Sequence, residues 1–146
     1  MTALLLLGPV TAEAACTLSA TGVVFGVYNP TIGIPANATG TINLTCTAGS
    51  SSSGGYTMGL SIGGGPSYSA RRLSTGLSTL EYQLYQDSAH TIVWGDGTGS
   101  SVIFNGTDGL PNNGGSDNIS IYGQIPARQA VTPGIYTDSI VVTVTY

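Results

Sequence analysis

Residues 134–146 read GIYTDSIVVTVTY. From Ile140 onward every second residue is large and apolar: Ile140, Val142, Val144 and Tyr146. Ser139, Val141, Thr143 and Thr145 stand between them. Strict alternation of β-branched residues is the pattern of a strand with one face in a core. No later segment of the sequence follows to cover it. An unpaired strand edge is a template for pairing with another chain. The expectation is therefore that this strand needs a partner on its open side.

The same period recurs upstream. Ile42, Leu44 and Cys46 share one face of TGTINLTC, and Tyr56, Met58, Leu60 and Ile62 share one face of GYTMGLSIG. Leu80, Tyr82 and Leu84 alternate in LEYQLYQD, and Ile119, Ile121, Gly123 and Ile125 alternate in DNISIYGQI. Weaker candidates lie at Leu18 to Phe25 and Val102 to Asn105. Clusters rich in Gly, Ser, Asn and Pro separate these runs, for example NPTIGIPANATG and NGTDGLPNNGG. Six or seven short antiparallel strands with such punctuation predict an all-β sandwich. At 146 residues the chain has the size of one domain.

Charged residues make up only 7% of the chain, against about 25% in an ordinary soluble domain. Ser, Thr, Asn and Gly carry the polarity instead, as on the surface of an extracellular β protein. Net charge is −4, with Arg71, Arg72 and Arg128 the only cations besides His90. Nucleic-acid binding is excluded as a main function, because neutralising phosphates takes several cations. Adsorption to anionic lipid is disfavoured for the same reason.

At the start, MTALLLLGPVTAEAAC has an apolar run from Ala3 to Leu7, with small residues at Ala12 and Ala14. Residues 1–14 read as an export signal cleaved between Ala14 and Ala15, leaving 15–146 as the mature domain. The basic residue that should precede the apolar run is missing. Two readings compete: a leader whose first part lies upstream of Met1, or a retained apolar strand. The run falls short of the roughly 20 residues of a membrane span. Two cysteines in an exported chain imply a disulfide between Cys16 and Cys46, with a pair of buried thiols as the other reading.

Residues for catalysis are sparse. The single histidine, His90, sits in a turn-like QDSAHTIVWGDG, and no two carboxylates stand close in sequence. A hydrolase needs nucleophile, base and orienting group together, so the chain is read as no enzyme. No cofactor or metal is expected. GDGTG (95–99) and NGTDG (105–109) lack the ordered ligands and closing glutamate of a calcium loop and read as tight turns.

Several segments together resemble the spore coat protein U domain family, which includes the subunits of archaic chaperone–usher pili. They are Cys16, VVFGVYNP (23–30), TGTINLTCTAG (39–49), YTMGLSIGGG (56–65), ARRL (70–73), LEYQLYQDSAHTIVWGDG (80–97) and the ending from Ile119 to Tyr146. The resemblance implies an incomplete immunoglobulin-like sandwich that lacks one strand. A periplasmic chaperone would fill the gap by pairing with the last strand, at Ile140, Val142, Val144 and Tyr146. At an outer-membrane usher, the N-terminal extension of a neighbouring subunit would replace it. The product would be an exported pilus or a spore or cell coat.

Cleavage after Ala14 leaves one residue before Cys16. Such a subunit accepts a strand and has none to give, which suits a pilus tip or a non-polymerising coat protein. Ile32, Ile34 and Leu110 are the candidates for exposed adhesive loops. A different class of function is a secreted carbohydrate-binding module, in which Trp94 or an exposed tyrosine stacks on sugar.

Overall fold

The computed structural model describes residues 2–5, 16–48, 55–106 and 110–146. The loop-tip serines and the signal-cleavage position lie outside them, as does part of NGTDG. Two sheets face one another. The first contains β1 (Thr2–Leu5), β4 (Thr57–Leu60), β7 (Phe104–Asn105) and β9 (Ser139–Thr145), in the order β1-β9-β4-β7. The second contains β2 (Cys16–Thr21), β3 (Ala36–Cys46), β5 (Arg71–Ser74), β6 (Thr79–Tyr85) and β8 (Gly115–Ile125), in the order β2-β3-β8-β6-β5. All pairings are antiparallel except that of β1 with β9. A single-turn helix, α1 (Leu110–Asn113), leads into β8. The all-β sandwich is the expected class.

The core forms where the alternation said it would. Ile42 and Leu44 of β3, Ile119 and Ile121 of β8, and Leu80 and Leu84 of β6 point inward and are buried. From the opposite sheet come Met58, Leu60, Ile140 and Val142. Trp94 fills the space between the sheets, fully buried, its indole N–H donating to the Met58 carbonyl at 2.9 Å. It is therefore unavailable to stack on a sugar.

Cys16 and Cys46 are register partners on β2 and β3 and form the disulfide. Thirty positions separate them; closing such a loop stabilises by about 3–4 kcal/mol in the chain-entropy picture.

Three elements depart from the sequence reading. The stretch from Leu18 to Phe25 is a strand only to Thr21. Beyond it the chain turns inward, Val23 is buried, and Phe25 packs edge-on against Tyr82. Arg71–Ser74 forms an edge strand that hydrophobic patterning does not show, because its inward residues are Arg71 and Leu73. Thr2–Leu5 is a strand, whether or not an export signal includes it.

Candidate functional site: the open edge of the last strand

On one side β9 pairs with β4, Val142 opposite Leu60 and Val144 opposite Met58. The ladder is extended by Ser61, whose N–H donates to the Val141 carbonyl and whose hydroxyl accepts from the Val141 N–H. On the other side lies β1, parallel, with Thr2 opposite Ser139 and Leu5 opposite Val142. This second edge is covered for four residues. Thr143 to Thr145 have no ladder partner there among the described residues.

The start of β9 is fixed by Asp138. Its carboxylate accepts from the Tyr82 hydroxyl at 2.5 Å, from the Gly64 N–H at 2.8 Å and from the Ser139 N–H at 2.8 Å. Gly63 adopts φ 66° beside it, and a Cβ there would collide with the carboxylate. Tyr56 makes the equivalent bond to Asp117 at 2.5 Å. Burial, reinforced by the bonded carboxylate, raises the pKa of both phenols above the usual tyrosine value.

The fold thus requires these phenols neutral. Because their folded pKa values are raised, their contribution is complete below the unfolded value of about 10 and is lost as pH climbs past it. The urea midpoint should fall between about pH 9 and about pH 11. Tyr82→Phe should be less stable at neutral pH and show a shallower alkaline decline. An equal decline in both proteins would remove this role for Tyr82.

Next to the start of β9 is an apolar cavity of about 350 Å³. One wall is residues 24–28 with Pro30, the other residues 131–137, and Leu73, Leu80 and Ile125 form the floor. Tyr28, on the first wall, is tied to the turn that precedes the second, donating to the Pro126 carbonyl at 2.8 Å and accepting from the Gln129 N–H at 2.9 Å. At the rim Val24, Val27 and Ile135 are 75%, 98% and 86% exposed. These large aliphatic side chains form an exposed apolar patch at the mouth of the cavity.

The four residues assigned from sequence to partner contact separate here. Ile140 and Val142 are buried against the core, Val144 is partly buried, and Tyr146 is 44% exposed. Ile140 and Val142 face inward, so along this stretch the surface that β9 offers is its main-chain edge. The apolar rim was missed. Its only trace in sequence is aliphatic residues beside Gly in FGVYNP and TPGIY.

Of the suggested adhesive residues, Ile32 and Ile34 are exposed in the loop before β3. Leu110 is corrected: it opens α1 and packs partly buried against the core, because the helical turn folds it over Gly115. His90 occupies a turn with φ 58°, its ring edge-on to Tyr85. Among the described residues no group of three or more His, Cys, Asp or Glu could hold a metal ion. No helix among them is long and apolar enough to cross a membrane.

Two sheets facing one another across a shared apolar core make an all-β sandwich. The model of the Spore Coat Protein U domain matches residues 1–143, and the chain belongs to that family. Protein U of Myxococcus xanthus is 32% identical over 131 residues, covering 84% of this chain and 70% of that protein. Among solved structures, the chain is similar to one in the CsuC–CsuE chaperone–tip adhesion subunit pre-assembly complex from archaic chaperone–usher Csu pili of Acinetobacter baumannii. The TM-score is 0.62 at 18% identity, over 93% of this chain and 40% of that one. This chain thus spans less than half the length of that solved chain. The family and fold are those of structural, non-enzymatic proteins.

Proposed function

We propose that the chain is an exported subunit of a surface pilus or coat whose sandwich is completed by a strand from another protein. The carrying observation is the β9 edge, which among the described residues β1 pairs only along Ser139–Val142, with an open apolar cavity near the segment that leads into β9. A periplasmic chaperone supplies the strand first. A neighbouring subunit supplies it at the usher in the outer membrane. Each apolar side chain the strand buries contributes roughly 1.5–3 kcal/mol before ordering costs. Main-chain pairing along β9 sets the register.

On this reading residues 1–14 are an export leader and 15–146 the mature domain. Removing the leader takes Thr2–Leu5 off the β9 edge and leaves it for the partner. A mature chain beginning at Ala15 receives a strand and gives none, which places it at a tip or in a terminating position. There Ile32 and Ile34, exposed on one loop, are the contacts for a hydrophobic surface.

The test is production in a periplasm. Alone, the chain should aggregate or be degraded; with its chaperone it should be recovered as a soluble one-to-one complex. N-terminal sequencing of that product should begin at Ala15. A stable monomer starting at Ala15 without any partner would overturn the proposal.

A further inference from the structure

The outer face of the five-stranded sheet carries its charge at one edge, where Arg72 of β5 stands 3.9 Å from Glu81 of β6, and is chemically uniform across the other three strands. Every outward position of β2, β3 and β8 is Ser, Thr, Asn, Gln or Tyr, and none carries charge. Side chains on this face are tied across strands. Asn43 donates to Asn118 at 2.7 Å, the Thr45 and Ser116 hydroxyls meet at 2.9 Å, and Gln124 donates to Asn37 at 3.0 Å. The result is an ordered lattice of hydroxyls and amides, with little side-chain freedom left to lose on binding.

Beside the lattice stands an aromatic cluster. Tyr85 and Tyr122 are register partners on β6 and β8. The His90 ring lies 5.2 Å from Tyr85 and 6.5 Å from Tyr122, edge-on to both. All three residues are partly exposed. Holding His90 there takes a left-handed backbone, φ 58°, that non-glycine residues seldom adopt. Asp87 maintains it: its carboxylate accepts from the Thr91 and Ile92 N–H groups and from the Thr91 hydroxyl, and its carbonyl accepts from the His90 N–H. A local strain so firmly braced positions a ring.

We propose that this face binds a neutral polysaccharide, with Tyr85, His90 and Tyr122 against sugar rings and Asn37, Thr39 and Gln124 toward their hydroxyls. A charged partner would lose hydration over β2, β3 and β8, whose outward side chains offer it no counter-charge. A protein partner would need an apolar interface centre, which the lattice lacks. An extended strand would use an edge, not a face. A polyol matches hydroxyls and amides, and aromatic rings match the C–H faces of sugars. The β9 edge belongs to the other sheet, so sugar binding and strand capture are independent.

Affinity electrophoresis tests this with the purified full chain, in its chaperone complex where it needs one. Gels would contain hydroxyethylcellulose, a galactomannan or, as the acidic comparison, alginate. Retardation is expected in a neutral gel and not in alginate. Tyr85→Ala with Tyr122→Ala should weaken it about tenfold or more, and Tyr122→Phe should keep it. Thr39→Lys, a single change at an exposed position, gives a second reading if the double variant does not fold; it should also weaken retardation. No retardation in either neutral gel would overturn the proposal. So would retardation that survives both the double variant and Thr39→Lys, or retardation that is strongest in alginate.

Discussion

Arg71→Ala should destabilise the domain by about 3–5 kcal/mol, a large share of the 5–15 kcal/mol that holds a domain folded. Arg71 is fully buried, yet among the described residues no carboxylate stands within ion-pair distance of it. Its guanidinium donates to the Ser61 carbonyl at 2.9 Å, the Trp94 carbonyl at 2.7 Å and the Gln83 amide oxygen at 2.8 Å, and lies 5.2 Å from the Tyr68 ring centre. Burial lowers its pKa, against the opposing pull of Tyr82, Tyr68 and Asp138.

One side chain thereby joins β5 and β6 to the end of β4 and to the Trp94 segment. Truncation leaves two carbonyls in the interior without their donor, each costing about 1–3 kcal/mol, and opens a cavity as well. Lysine would keep the charge but not the planar fork, so Arg71→Lys should recover less than half the loss. Arg72, its neighbour, is half-exposed and stands 3.9 Å from Glu81. Arg72→Ala should change stability by about 0.5 kcal/mol or less. Urea unfolding of the two alanine variants at equal slope measures the difference. Equal effects would show that the Arg71 bonds do not carry the junction.

In sequence the two arginines of ARRL are equivalent, and hydrophobic patterning places both outside. That is why β5 escaped the reading while β3, β6, β8 and β9 did not: four residues with a cation at an inward position give no period-two signal. The long strands were legible because each repeats an aliphatic residue at every second position, and only one register buries that row. The cavity rim was illegible for another reason. Val24, Val27 and Ile135 sit in irregular backbone, where no period says which way a side chain points. Exposure there depends on loops that the bond between Gln129 and Tyr28 ties together, a contact across about a hundred residues.

The lattice face was half legible. Its Thr and Asn alternate visibly with Ile and Leu in TGTINLTC, but the pairing of Tyr85 with Tyr122 follows only from the β6–β8 register. The N-terminal run from Leu4 to Leu7 is continuous rather than alternating, a pattern that does not mark a strand with one buried face. As an edge strand of four residues it needs no alternation.

Val142→Asp and Val144→Asp should separate folding from strand capture. Val142 is buried between Leu60 on β4 and the β1 edge. A carboxylate there has no partner; even a neutral acid loses roughly 2–7 kcal/mol of solvation. That is comparable to the whole stability of a domain, and no soluble chain should be recovered with or without the chaperone. Val144 is partly buried, two residues further along, past the end of β1. An aspartate at this position reaches water in the free subunit, at a folding cost of about 1–2 kcal/mol. Once a partner strand covers the rest of β9, the same carboxylate is sealed under apolar side chains. Recovery of the Val144→Asp complex should therefore drop about a hundredfold, by some 3 kcal/mol of added desolvation, while circular dichroism of the residual chain stays that of the native sheet. Capture of Val144→Asp at the native level would mean that the partner pairs only along Ser139–Val142. The β1 segment would then mark the full extent of the acceptor edge, and Thr143 to Thr145 would serve the β4 ladder alone.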